Sequence, residues 1–198
     1  MPFIKGVEEE SATGPLAEMF AADRKSWGYV PNLAITFGLR PEVYQAWRQL
    51  NGAIKAGMDP RRYELATVAA AVELESSYCS LAHGRVLAKE FLSQEEVIRL
   101  VTEPDSTALS PLDRAVISLT RKIVRRATDV TADDIVALRD LGLSDQDIFD
   151  VILTASARCF FSKTLDATGT APDAEFGQLP PPLRDALTVG RPIDPASA

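Results

Sequence analysis

The feature that most restricts the fold of this chain is an alanine-rich segment, residues 63–74, that is almost wholly apolar. It follows Asp59-Pro60, an N-cap residue and a first-turn proline, so the sequence predicts a helix here. A helix without a polar face has to be surrounded by other elements, and we expect this one at the centre of the fold. Glu64 lies in its first turn. That carboxylate alone is typical of a partner for the helix dipole or for Arg61 or Arg62.

The other strong signals along the chain are also helical. N-cap residues or prolines before apolar residues at helical spacing, and glycines or prolines after them, predict further helices. These cover residues 15–27, 41–57, 77–91, 93–103, 111–126, 131–141 and 144–168. No stretch shows the two-residue alternation of a strand between turns. We therefore expect one all-α domain over residues 1–170, with an N-terminal arm.

Residues 171–198 are expected to form a separate tail. Eight of these residues are Pro or Gly. Such a segment has little capacity for a core of its own, so the sequence predicts that it lies over the domain or over a neighbouring subunit.

Composition argues against several classes of partner. The chain has 198 residues and a net charge of −7, which is unfavourable for nucleic-acid binding. No apolar run reaches the length that a membrane span needs. The two cysteines are eighty residues apart and no charged-then-apolar leader opens the chain, so a cytoplasmic location is predicted.

The segment after the apolar helix holds the chain's one histidine, His83, and one of its two cysteines, Cys79. On a helix that begins near Ser77, this spacing places thiol and imidazole on one face, one turn apart. A neighbouring base promotes formation of the nucleophilic thiolate, and the positive end of the helix dipole acts in the same direction. These two residues alone fit a packed cysteine beside a hydrogen-bonded histidine equally well.

With Glu64 added, the pattern resembles the signature of the carboxymuconolactone decarboxylase superfamily, in its alkylhydroperoxidase D-like branch. That branch has a glutamate twelve residues before the first cysteine of a Cys-x-x-Cys-x-x-x-His run. Here Glu64 lies twelve residues before Ser76, fifteen before Cys79 and nineteen before His83. Three of the four positions match in type and spacing, and Ser76 replaces the first cysteine.

The resemblance implies an all-helical, alkylhydroperoxidase D-like fold and an antioxidant enzyme with peroxiredoxin-type activity that reduces hydroperoxides. It implies that Cys79 is the nucleophile, His83 its base and Glu64 the end of a proton relay. Tyr78 would be a cavity wall or a hydroxyl donor, and Ser76 would hold the resolving position without its chemistry. The implied partners are a small hydroperoxide, an external thiol or thiol protein as reductant, and further copies of the chain.

No cofactor or metal is expected, because one His, one Cys and one Glu make a thin ligand set. Two other classes of function stay open. One is an acid–base enzyme resembling the lactone decarboxylases, in which Cys79 takes no part. The other is a non-catalytic helical oligomer that keeps only the scaffold. Cys159, in the segment Arg158-Cys-Phe-Phe, is expected in the core.

Overall fold

The computed structural model of the protein describes residues 2–106 and 108–195; Met1, at the start of the predicted domain, and residues 196–198, at the end of the predicted tail, lie outside these ranges. Within them the regular structure is helical and contains no strand, which confirms the predicted all-α class. The α-helices are α1 (Pro15–Trp27), α2 (Asn32–Phe37), α3 (Pro41–Gly57), α4 (Pro60–Glu73), α5 (Ser77–Glu90), α6 (Gln94–Thr102), α7 (Pro111–Arg126), α8 (Ala132–Asp140), α9 (Asp145–Thr168) and α10 (Pro181–Leu187).

The apolar helix α4 lies at the centre, as predicted. It packs against α5, α7 and α9. Each residue from Tyr63 to Ala71 is buried, because neighbours cover the helix on all sides. The Asp59 side chain accepts a hydrogen bond from the Arg62 N–H, which is the N-cap that the sequence predicts.

Two helices were not predicted. α2 has six residues and follows Pro31, which is too short for helical spacing to be recognised. α10 begins at Pro181 in the proline-rich tail, where prolines in the first turn fit a helix start. The tail packs on α5 and α6 through this helix, and its apolar residues Phe176, Leu183 and Leu187 are buried.

The tail also holds the start of α5, the helix that carries Cys79 and His83. The Gly190 N–H donates to the Ser77 Oγ at 2.8 Å. One side of α5 carries Gly84, where an added Cβ would lie 2.4 Å from Leu187 Cδ2. Glycine therefore allows α10 to approach the helix closely. None of the described helices combines the length and the apolar character needed to cross a membrane.

Candidate active site

The centre of the site is a hydrogen-bonded pair of side chains from the neighbouring helices α4 and α5. The Glu64 Oε2 and His83 Nδ1 atoms are 2.6 Å apart, and the Glu64 side chain is only 2% exposed. Its other oxygen accepts a hydrogen bond from Lys55 Nζ, at 3.2 Å, at the end of α3. Glu64 thus joins a partly buried imidazole to a half-exposed ammonium group.

The alternative partners that the sequence suggested for Glu64 are engaged elsewhere. Arg61 forms a bidentate pair with Asp113, with both distances 2.8 Å. Arg62 donates to Asp147 at 2.7 Å. The interpretation of Glu64 as a partner for either arginine is therefore wrong.

Electrostatics fix the protonation of the pair. Burial acts to raise the pKa of Glu64, but the hydrogen bond from His83 and the charges of His83 and Lys55 outweigh it, so this pKa is lowered. Burial, followed by the charge of Arg158, lowers the pKa of His83 against the opposing effect of Glu64. At neutral pH an ionised carboxylate therefore faces a neutral imidazole. With Nδ1–H donating to Glu64, Nε2 carries the free lone pair of a base.

Cys79 lies in the first turn of α5, one turn before His83, and is 2% exposed. A polar neighbour of its sulfur comes from α9. The Arg158 Nη1–H donates to Cys79 Sγ at 3.7 Å, and Arg158 Nη2 reaches the Tyr63 hydroxyl at 3.4 Å. Arg158 was not predicted as a site residue. The sequence feature that could have indicated it is a lone arginine in a largely apolar part of a predicted helix.

A cavity of ≈ 290 Å³ brings these groups together. The polar side chains of its wall are those of Arg48, Asn51, Cys79, His83 and Arg158. Most of the remaining wall is aromatic and comes from Trp27, Tyr44, Trp47, Tyr78 and Phe161. Concave, mainly apolar sites with a few convergent polar groups are typical of small-molecule binding.

Tyr78 contributes its ring to this wall, while its hydroxyl points to the tail. The hydroxyl donates to Asp173 at 2.5 Å and accepts a bond from the Leu33 N–H at 3.3 Å. Asp173, which the sequence analysis did not identify, also accepts bonds from the Tyr29 hydroxyl and the Asn32 N–H. Burial raises the pKa of Asp173 even though these donors act to lower it. The tail thereby holds the residue next to Cys79 in place.

The two remaining predicted positions lie away from the cavity wall. Ser76 is the N-cap residue of α5 and is fully buried. Cys159 is a free, half-buried cysteine, and burial raises the pKa of its thiol. Among residues 2–106 and 108–195, no group of three His, Cys, Asp or Glu side chains is placed to hold a metal ion.

Part of the chain matches a known protein family. Residues 41–122, from α3 into α7, match the carboxymuconolactone decarboxylase family, and this segment contains Glu64, Cys79 and His83. A search of curated proteins finds no match.

Several solved structures are similar to this chain. One is an uncharacterised peroxidase-related protein from Ralstonia eutropha JMP134 with an alkylhydroperoxidase AhpD core. It is 21% identical, with a TM-score of 0.80, and the match covers 88% of this chain and 94% of that one. A peroxidase-related protein from Silicibacter sp. TM1040 is 19% identical with a TM-score of 0.77, over the same shares. The debrominase Bmp8, in complex with 2,3,4-tribromopyrrole, is 14% identical with a TM-score of 0.71, over 93% of this chain and 95% of that one. At these identities the structures show a shared fold. Residues 41–122 therefore resemble the carboxymuconolactone decarboxylase family, and the chain has an AhpD-like fold.

Proposed function

We propose that the protein is a thiol-dependent peroxidase that reduces hydroperoxides through Cys79 alone. One observation carries the proposal: a buried thiol on a cavity wall, with a guanidinium at 3.7 Å and a neutral imidazole one turn away that an ionised carboxylate holds. The family match over residues 41–122 and the fold shared with peroxidase-related proteins support it.

In the first step His83 Nε2 takes the proton of the Cys79 thiol, and Glu64 stabilises the resulting imidazolium. The thiolate attacks the terminal oxygen of the hydroperoxide, so a sulfur–oxygen bond forms as the oxygen–oxygen bond breaks. The alkoxide that leaves takes the proton back from His83. Cys79 ends as a sulfenic acid and the hydroperoxide as an alcohol.

The second step needs a reductant from outside the chain, because the Ser76 hydroxyl cannot condense with a sulfenic acid as a cysteine would. An external thiol forms a mixed disulfide with Cys79 and releases water. A second thiol then attacks the mixed disulfide and restores Cys79. The cytoplasm, which the sequence predicts as the location, would supply such thiols.

Mass spectrometry of the intact protein tests this scheme. One equivalent of hydroperoxide should add one oxygen atom to the wild type and to Cys159→Ser, and none to Cys79→Ser. Steady turnover should require added thiol. A wild-type product that loses two hydrogens and gains no oxygen would show an internal disulfide and contradict the single-cysteine scheme.

A second function is favoured by a separate observation, that the Glu64–His83 pair is complete without the thiol. Such a pair could act as acid and base on a carboxylated lactone, as in an enzyme resembling the lactone decarboxylases. Lactone turnover that survives in Cys79→Ser would support this alternative. Absence of both activities would favour a non-catalytic scaffold.

We also propose that the chain assembles with copies of itself. The large apolar side chains of Leu50 on α3 and Phe160 on α9 are exposed, although these two helices pack together. Burial of such side chains against a second subunit would be favourable. Sedimentation should show an oligomer whose dissociation depends on concentration, and a monomer at every concentration would refute the assembly.

A further inference from the structure

One cation on the cavity wall has no carboxylate to balance its charge. Arg158 is 3% exposed, and among the described residues no Asp or Glu oxygen lies within 4.0 Å of its guanidinium. Its Nε atom has no hydrogen-bond partner in that part of the chain. Its two other nitrogens reach only a sulfur and a phenol hydroxyl, Cys79 Sγ and Tyr63. A buried charge of this kind is costly unless an anion pairs with it.

The neighbouring cations each have a carboxylate partner. Lys55 pairs with Glu64, and Arg48, on the same cavity wall, pairs with Asp23 at 3.2 Å. The lowered pKa of His83 keeps that ring neutral at neutral pH. The unbalanced positive charge on the wall is therefore that of Arg158.

The surfaces beside this charge are flat and aromatic. The guanidinium carbon of Arg158 lies 5.5 Å from the Trp47 ring and 5.7 Å from the Phe161 ring. These two rings stack on each other with centroids 4.7 Å apart. Trp27 and Tyr44 add two further rings to the wall. A planar apolar body fits such walls, and ≈ 290 Å³ suits a small single-ring molecule.

We propose that this cavity binds a small aromatic carboxylate, with the carboxylate on the guanidinium of Arg158 and the ring against Trp47 and Phe161. A carboxylate matches the planar donor fork of arginine and would use the unpartnered Nε. The proposal rests on the proposed function only in placing a ligand in the same cavity over Cys79. It depends on Arg158 and the aromatic wall, and thiol chemistry is not needed for it.

Ligand binding can be followed by tryptophan fluorescence, because both tryptophans of the chain, Trp27 and Trp47, lie on the cavity wall. The experiment titrates benzoate, benzamide and acetate into the Cys79→Ser protein and follows tryptophan fluorescence. Benzoate and benzamide have almost the same shape and differ in charge, whereas acetate keeps the charge without the ring. We expect benzoate to bind about 10- to 100-fold more tightly than benzamide, the range of a charge-assisted hydrogen bond, and acetate to bind weakly.

Arg158→Met should remove the preference for benzoate and leave the affinity for benzamide unchanged. Arg48→Gln is the matched control, because it removes a cation of the same wall that already has a partner; it should keep the preference. Should Arg158→Met not fold, protection of wild-type Cys79 from a neutral alkylating probe gives the same comparison. Benzoate should then protect at lower concentration than benzamide.

Three results would overturn the proposal: equal binding of benzoate and benzamide, binding of acetate as tight as that of benzoate, or no binding of any of the three. These results are separate from a failure of the proposed peroxidase. Cys79→Ser has no thiol at this position, so its ligand binding does not depend on turnover. Conversely, the wild type could reduce peroxide and still show no preference for benzoate. In that case the anion that pairs with Arg158 would be the Cys79 thiolate and not a bound carboxylate.

Discussion

Replacement of Glu64 by glutamine removes the buried charge of the relay and nearly preserves its shape. The loss comprises two charge-assisted hydrogen bonds, one from His83 at 2.6 Å and one from Lys55 at 3.2 Å. Each such bond contributes about 1.5–3 kcal/mol. The loss is partly offset, because Lys55 is 50% exposed and regains water, and because glutamine costs less to bury. We expect the free energy of unfolding to fall by about 2 kcal/mol.

The rate of the thiol reaction should fall as well. Without the carboxylate, nothing opposes the effects of burial and of Arg158 on the pKa of His83, so the imidazole becomes a weaker base. A positioned general base contributes about 10²–10⁴-fold, so His83→Ala should slow oxidation of Cys79 by at least about 100-fold. Glu64→Gln, which keeps the imidazole, should slow it by about 10-fold.

The assay is the initial rate at which hydroperoxide forms the sulfenic acid, measured at neutral pH by rapid mixing, alongside urea unfolding. Glu73→Gln is the matched control: Glu73 lies on the same helix and pairs with Arg121 and Arg125. It should lose stability and keep the wild-type rate. Equal rates in Glu64→Gln and Glu73→Gln would refute the relay.

The pH dependence of the Glu64 contribution gives a second check. The folded-state pKa of Glu64 is lowered, so its charge stabilises the fold above the unfolded carboxyl pKa of about 4.3. That contribution is lost as pH falls through the lower folded value. The stability gap between wild type and Glu64→Gln should be largest at neutral pH and close in acid. A gap that widens toward acid would contradict the charge assignment.

Three further outcomes are expected. Ser76→Cys should turn the peroxide product into an internal disulfide with Cys79, lighter by two hydrogens in intact mass, and resist inactivation by excess peroxide. The pKa of His83 is lower in the folded than in the unfolded chain, so the unfolded chain binds a proton on His83 first as pH falls below about 6.5. Below that pH the wild type should therefore unfold at lower urea concentration, and His83→Asn should not show this change. Leu187→Ala should reduce the free energy of unfolding by about 2–4 kcal/mol, since Leu187 is fully buried against α5, whereas exposed Leu39→Ala should change it by less than about 0.5 kcal/mol.

The sequence predicted those parts of the fold and site that depend on local signals. The central position of α4 follows from its composition, since an apolar helix has no face for water. The resemblance to the family implied that Glu64 and His83 act together, and their Oε2 and Nδ1 atoms lie 2.6 Å apart. Local signals also gave the first residue of α5, Ser77.

The parts that were missed depend on contacts between distant segments. Arg158 is 79 positions from Cys79, and Asp173 is 95 positions from Tyr78. A lone arginine among apolar residues indicates a buried cation in need of a partner, but only the packing of α9 against α5 determines that partner. The tail shows the same limit. Its prolines predicted a segment with little core of its own, lying over the domain or a neighbouring subunit. The helix α10 was not predicted, and its apolar residues such as Leu187 pack it onto α5 and α6.

The burial of Cys79 narrows the choice of reductant that the sequence left open. The Cys79 side chain lies on the cavity wall and is 2% exposed, and Ser76 cannot form a disulfide that would pass the oxidation of Cys79 to the surface. A reductant must therefore bring its own sulfur to Cys79. A thiol on the surface of a folded protein would meet the helices around the cavity first, whereas a small thiol can enter a space of ≈ 290 Å³. We therefore expect small thiols to support turnover at much lower thiol concentration than a thioredoxin-like protein, and the reverse order would show that the helices around Cys79 open for a partner.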